Sequence, residues 1–123
     1  MELDLCSKRD IRKILNWNEE VPKGSEFCVH DLIHQQCLDY PNDLVVRSWD
    51  GDLTFGEVDR LLLNLAVNLA ELGIGPEVFV PLCFEKSKWA VIAIIGVIKA
   101  GGAYTFLDPL YPLKRMSSIY KDL

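Results

Sequence analysis

The spacing of apolar residues changes along the chain, and each change marks an element. Ser7 and Asp10 form an S-x-x-D cap, and Ile11, Ile14 and Leu15 follow at helical spacing. Cys6 and Ile11 stand where a hydrophobic staple would bridge that cap. Residues 16–26, NWNEEVPKGSE, are polar and carry Pro22 and Gly24, the composition of a linker. Val29, Leu32, Ile33, Gln36 and Cys37 then give a largely apolar helical stripe, which Tyr40-Pro41 ends because a residue before proline disfavours the helical region.

Leu44 to Trp49 reads as a strand, Asp50-Gly51 as a type I′ turn, and Asp52 to Phe55 as the returning arm of a short hairpin. Thr54 and Glu57 predict a capping box for a third helix. One face of that helix is Val58, Leu61, Leu62, Leu65, Ala66 and Leu69. The opposite face is Glu57, Arg60, Asn64, Asn68 and Glu71, and Gly73 supplies the left-handed exit residue.

Val78 to Phe84 is an apolar run suited to a strand covered on both faces. Pro81 interrupts it, which predicts either that pairing ends near Val80 or that the strand lies at an edge. Ser87 opens a helix through Ile98 that is apolar nearly all round and therefore expected to be deeply buried. Gly101-Gly102 turns the chain, Ala103 to Leu107 returns as a strand parallel to the first, and Pro112 to Asp122 opens another helix. The expected class is α/β: a short hairpin plus a β-α-β unit packed with amphipathic helices. Its sheet is incomplete, since no strand follows the last helix. Open strand edges of this kind invite association.

Composition narrows the functional classes. The 123 residues suffice for one core, and the net charge of −5 excludes the basic footprint of a nucleic-acid partner. Trp89 to Leu107 approaches the length of a membrane span. Lys99 lies within it and the glycine pair breaks it, so a buried helix, turn and strand explain it better than a membrane partner does. Cys6, Cys28, Cys37 and Cys83 form no C-x-x-C pair, and the start lacks a signal-peptide pattern. Buried free thiols in a cytoplasmic protein are expected.

Candidate chemistry is sparse. Lys99-Ala100-Gly101-Gly102 sits at a helix C-terminus, where the dipole repels anions, and reads as a cap rather than a phosphate loop. Gly73-Ile74-Gly75-Pro76 follows a helix and precedes a strand, the reverse of a dinucleotide fingerprint. His30 and His34 share a helix face at i and i+4 and offer a remote metal-binding reading. Asp31 is too short to serve as the general base of an H-E-x-x-H site, and no acidic residue is evidently placed to complete the pair. Solvent-facing histidines are the simpler expectation. Cys83 is expected in the core, and Asp50 and Asp52 as turn formers. The residues assign no catalytic, cofactor-binding or metal position.

Two ordered motifs carry a resemblance. Leu53-Thr54-Phe55-Gly56-Glu57-Val58 is similar to the first core motif of amino-acid adenylation domains, Leu-Thr/Ser-Tyr-x-Glu-Leu. Ile98-Lys99-Ala100-Gly101-Gly102-Ala103-Tyr104 resembles the second, Leu-Lys-Ala-Gly-x-Ala-Tyr, and Leu107-Asp108-Pro109-x-Tyr111-Pro112-x-x-Arg115 continues it. Ile14-Leu15-x-Trp17-Asn18 resembles the linker joining a condensation domain to an adenylation domain of nonribosomal peptide synthetases. The resemblance implies a linker over 1–26 and the truncated start of an AMP-binding domain over 27–123, within the adenylate-forming fold. It implies a parent reaction in which Mg-ATP activates an amino acid that then passes to a carrier's phosphopantetheine thiol, with the remainder of a synthetase as partner. The phosphate loop, substrate pocket and catalytic lysine of the family have no counterpart here, so the chain is expected to need no cofactor and to be inactive alone. A non-catalytic docking module derived from a synthetase is the alternative. Thr105-Phe106 stands where the family usually has Val-Pro, a change expected to require local repacking.

Overall fold

The computed structural model of the chain describes residues 7–122. Helix α1 (Lys8–Trp17) starts on Ser7, whose hydroxyl oxygen accepts the Asp10 N–H. Cys6, the expected staple partner of Ile11, lies outside the described residues. Ile14 and Leu15 of α1 are exposed, and residues 18–28 lead without regular structure to α2 (Val29–Asp39).

The stripe expected on α2 is rotated. Cys37 is buried and His30 and Ile33 are half-buried, whereas Val29 and Leu32 are exposed. The helix therefore turns Ile33 and Cys37 toward the core, Ile33 packing against the cluster of Leu53, Val58 and Leu62.

Strands β1 (Leu44–Val46) and β2 (Leu53–Thr54) pair antiparallel. Leu44 lies opposite Thr54 and Val46 opposite Leu53, so Val45 is an extra residue, the signature of a bulge. The turn differs from expectation. It runs over Ser48-Trp49-Asp50-Gly51, closed by the Gly51 N–H on Ser48 O, with Gly51 (φ 120) last. A type I′ turn needs positive φ at both central residues, and neither Trp49 nor Asp50 has it. The arms are also shorter than the sequence suggested, because Trp49 and Asp50 make contacts elsewhere and Phe55 already belongs to a helix.

That helix, α3 (Phe55–Glu71), carries the expected capping box. Thr54 Oγ1 accepts the Glu57 N–H at 3.3 Å, and Glu57 Oε2 accepts the Thr54 N–H at 2.8 Å. Gly56 brings its N–H within 2.9 Å of Pro41 O, and a Cβ there would stand 3.0 Å from the same oxygen. Val58, Leu62 and Ala66 are buried. The helix ends on Gly73 (φ 88): Gly73 N–H bonds Ala70 O and Ile74 N–H bonds Leu69 O, a complete Schellman motif.

A type II turn over Gly75-Pro76-Glu77-Val78, with Glu77 at φ 65, leads into β3 (Phe79–Leu82). Helix α4 (Lys88–Lys99) starts on the Ser87 hydroxyl and ends on a second Schellman pair, Gly101 N–H to Ile98 O and Gly102 N–H to Val97 O. Strand β4 (Ala103–Phe106) pairs parallel with β3, and α5 (Leu113–Lys121) follows. Pairing does not stop at Val80. It runs to Leu82, with Pro81 opposite Thr105. Ala103 and Leu107 donate to Val78 O and Leu82 O. Even-numbered residues of β3 therefore face β4, and Pro81 points to the open edge where no donor is missed.

The two two-stranded sheets form the expected incomplete α/β arrangement. The core has two parts, both built on α4. Leu53, Val58, Leu62 and Ile92 form one; Leu82, Ala93 and Val97 form the other. They meet where Gly96 lies against Leu65. A Cβ at Gly96 would fall 2.5 Å from Leu65 Cδ2 and 2.9 Å from its Cγ. The burial expected all round α4 is complete on these faces and partial on the others, with Trp89 in the first turn 48% exposed.

Gly96→Ala is expected to cost about 1–3 kcal/mol, the usual penalty of forcing an extra carbon into a packed contact, measured by urea denaturation. The capping box makes stability sensitive to acid. The Thr54 N–H, and after it the Thr54 hydroxyl, hold the Glu57 carboxyl below its ordinary value of 4.5. A lowered folded pKa means that the ionised cap stabilises above that ordinary value and loses its effect as pH falls through the folded one. The urea midpoints of wild type and Glu57→Gln should therefore differ at neutral pH and converge in acid.

Candidate functional site

Three places gather polar groups. The first is the N-terminus of α2. Asp31 Oδ2 accepts the Cys28 N–H at 3.2 Å, and Asp31 Oδ1 lies 3.7 Å from His30 Nε2. Ligating atoms of Cys28, His30 and Asp31 fall within 4.8 Å of one another. The second ring nitrogen, His30 Nδ1, is buried and has no hydrogen-bond partner among the described residues. A metal-bound imidazole ordinarily donates its second N–H to an acceptor, and this ring offers it none.

The second is the junction of α2, α3 and α4. His34 Nδ1 lies 2.8 Å from Asp59 Oδ1, and Lys99 Nζ lies 3.8 Å from the same oxygen. Cys37 is beside them. Burial first, and then the Asp59 charge, push its thiol pKa up, which makes it a poor nucleophile. The histidine pair of the sequence is thus divided between two environments. His34 is held by a carboxylate from another helix, and His30 is half-buried rather than solvent-facing. Asp59 is the acidic partner that sequence reasoning missed. It lies 25 positions away, and only the packing of α2 on α3 brings it near.

The third is the tether between the hairpin loop and the start of α4. Trp49 Nε1 donates to Lys86 O at 2.7 Å, Asp50 Oδ1 accepts the Lys88 N–H at 3.1 Å, and Lys88 Nζ donates to Asp50 O at 2.8 Å. The Asp50 carboxyl is held below its ordinary range, first by a hydrogen bond from Ser48 and further by the Lys88 N–H. Asp50 is therefore more than a turn former. Asp52 makes a long pair with Arg47 at 3.9 Å.

The glycines of the second sequence motif are committed to the fold. The N–H groups of Gly101 and Gly102 already serve Ile98 and Val97, and a Cβ on Gly102 would meet Ile74 Cγ2 at 2.7 Å. These residues do not fit ATP phosphates: their donors are spent and the carbonyl end of α4 faces that space. Cys83 is exposed, not in the core, because β3 ends one residue before it.

Two hollows remain. A groove of about 580 Å³ runs between α3, β3 and α4, lined by apolar residues such as Leu61, Leu65, Val80, Phe84 and Trp89. A second, of about 730 Å³, lies at the carboxyl ends of β3 and β4, the usual ligand position in open α/β sheets. Two of its polar groups are engaged locally. Asp108 Oδ1 accepts the Leu110 N–H at 2.9 Å, and Ser87 caps α4. No helix among the described residues is long and apolar enough to cross a membrane.

Comparison with known proteins gives a consistent result. The family described as AMP-binding enzyme matches residues 33–123. The D-lysergyl-peptide-synthetase subunit 1 of Claviceps purpurea is 49% identical over 122 residues, which is 99% of this chain and 3% of that protein. The nonribosomal peptide synthetase fmqA of Aspergillus fumigatus is 47% identical over 121 residues, 98% of this chain and 3% of that one. The chain thus spans a few hundredths of the length of these relatives. A crystal structure of the nonribosomal peptide synthetase FmoA3, a serine-to-alanine variant bound to α-methyl-L-serine-AMP, shares the fold. Its TM-score is 0.82 at 24% identity, covering 98% of this chain and 14% of the other.

The His34–Asp59 contact yields a prediction. A double-mutant cycle with His34→Ala and Asp59→Asn should return a coupling of about 0.5 kcal/mol that shrinks in high salt, as for a half-exposed pair. Chemical denaturation of the four proteins measures it.

Proposed function

The chain belongs to the AMP-binding enzyme family, and we propose that it is the opening structural segment of an amino-acid adenylation domain of the peptide synthetase type, inactive by itself. The observation that carries the reading is the 49% identity with a peptide synthetase through 122 residues, including both motifs. In this reading residues 1–26 are the linker from a preceding condensation domain, and residues 27–123 begin the adenylation domain. The rest of a cytoplasmic synthetase is its partner.

The parent reaction joins an amino-acid carboxylate to the α-phosphorus of ATP, releasing pyrophosphate, and then moves the aminoacyl group to a carrier thiol. Mg-ATP and phosphopantetheine belong to that complete enzyme. This segment's own residues support it by holding the fold. Thr54 and Glu57 start α3, Gly56 lets α3 approach Pro41, Lys99 reaches Asp59, and Gly101 and Gly102 end α4.

Purified chain incubated with ATP, magnesium, labelled pyrophosphate and mixed amino acids should show no amino-acid-dependent exchange above the blank. Robust exchange would overturn the reading.

A further inference from the structure

Asp50-Gly51 is the one place in the sequence where glycine follows an aspartate or asparagine. That pairing is chemically labile. An aspartyl carboxyl lies one five-membered ring closure from the amide nitrogen that follows it, and glycine has no side chain to block the approach. Every other aspartate with a successor is followed by a bulkier residue.

The fold holds both reacting groups away from that closure. Asp50 Oδ1 accepts the Lys88 N–H at 3.1 Å, so the carboxylate is aimed at the start of α4. The Gly51 N–H is bonded to Ser48 O at 3.1 Å, and the nitrogen must give up that proton to attack. The Asp50 carboxyl is held below its ordinary range, first by the hydrogen bond from Ser48 and further by the Lys88 N–H. An ionised carboxylate resists a nucleophile. Two more contacts pin the loop: Trp49 Nε1 on Lys86 O at 2.7 Å, and Lys88 Nζ on Asp50 O at 2.8 Å.

We propose that Asp50-Gly51 is a site of aspartate-to-isoaspartate conversion, gated by the tether between the hairpin loop and α4. When the loop opens, the Gly51 nitrogen bonds to Asp50 Cγ, and the carboxyl hydroxyl leaves as water with the proton the nitrogen gave up. A water molecule then opens the succinimide ring. Cleavage of the new bond restores aspartate. Cleavage of the original bond, between Asp50 C and Gly51 N, routes the main chain through Cγ and leaves the α-carboxylate free. One water leaves and one returns, so no oxidant or co-reactant is needed. The product cannot rebuild the tether. Asp50 anchors α4 through two oxygens of different kinds, the carboxylate Oδ1 on the Lys88 N–H and the main-chain O on Lys88 Nζ. Conversion exchanges their roles and adds a methylene to the main chain. Ageing of one residue therefore frees the hairpin from α4. This does not depend on whether the chain activates an amino acid.

The purified chain is aged at neutral pH, with and without denaturing urea, and its peptides are mapped by electron-transfer fragmentation, which separates isoaspartate from aspartate. In urea, isoaspartate should accumulate at Asp50 before any other position. In the native chain the same conversion should be slower by about tenfold or more, as for a reaction that waits on local opening. Trp49→Phe keeps a ring but loses the donor, and should convert several-fold faster than the native wild type; Trp17→Phe, on α1, should not. In the converted chain the Lys88 amide should lose its protection from hydrogen exchange. Earlier conversion at another aspartate, native conversion as fast as in urea, a Trp49→Phe rate equal to wild type, or a converted chain that still protects the Lys88 amide would each overturn the proposal. The urea comparison uses wild type alone and decides the matter even if Trp49→Phe fails to fold.

Discussion

The contact of α4 with α3 at Gly96 governs the rest of the molecule. Helix axes approach closely only where a side chain is missing at the crossing, and Gly96 leaves that space for Leu65. The close approach places Ile92 among Leu53, Val58 and Leu62, and places Ala93 and Val97 against Leu82. One helix thus supplies both parts of the core. The hairpin is held on one side of it and the parallel strands on the other. At its C-terminal end Lys99 is carried to Asp59. Interiors are packed at nearly crystal density, so a shift of this crossing would be felt at both strand pairs.

What could be read from the sequence follows the range of the interactions. Ser7, Thr54 with Glu57, Ser87, Gly73 and Gly101 all act on backbone groups a few residues away, and each lies where the pattern placed it. The parallel pairing of the two apolar runs was legible for the same reason, since β-α-β connections are short and stereotyped. The hairpin turn was not. Asp50-Gly51 has the composition of a type I′ turn, but Asp50 is drawn to Lys88, 38 positions away, and a local rule cannot see that partner. The rotation of α2, the pairing of His34 with Asp59, and the exposure of Cys83 are equally products of tertiary packing. At Thr105-Phe106 the phenylalanine ring lies half in solvent, edge to face with Tyr104.

The residues of the two motifs that give the family resemblance hold structural positions here. In the first, Leu53 and Val58 are core, Thr54 and Glu57 cap a helix, and Gly56 permits a backbone contact. In the second, Gly101 adopts a left-handed conformation and Gly102 leaves room for Ile74. Each of these positions is bound by a steric or hydrogen-bonding limit that few other residues would satisfy.

The tether of the hairpin loop to α4 has a further consequence, for the order of events as the chain is made. Trp49 and Asp50 find their partners only at Lys86 and Lys88, and Leu62 meets Ile92 only when α4 exists. A nascent chain that has emerged as far as α3 holds helices with local caps and a hairpin that rests on α3 through Leu53 alone of its buried residues, without Ile92 to close that cluster. Its apolar face stays open to water and to other chains until some twenty-odd further residues leave the ribosome, the interval between Glu71 and the middle of α4. Vectorial synthesis therefore makes α4 the step at which the earlier elements settle together.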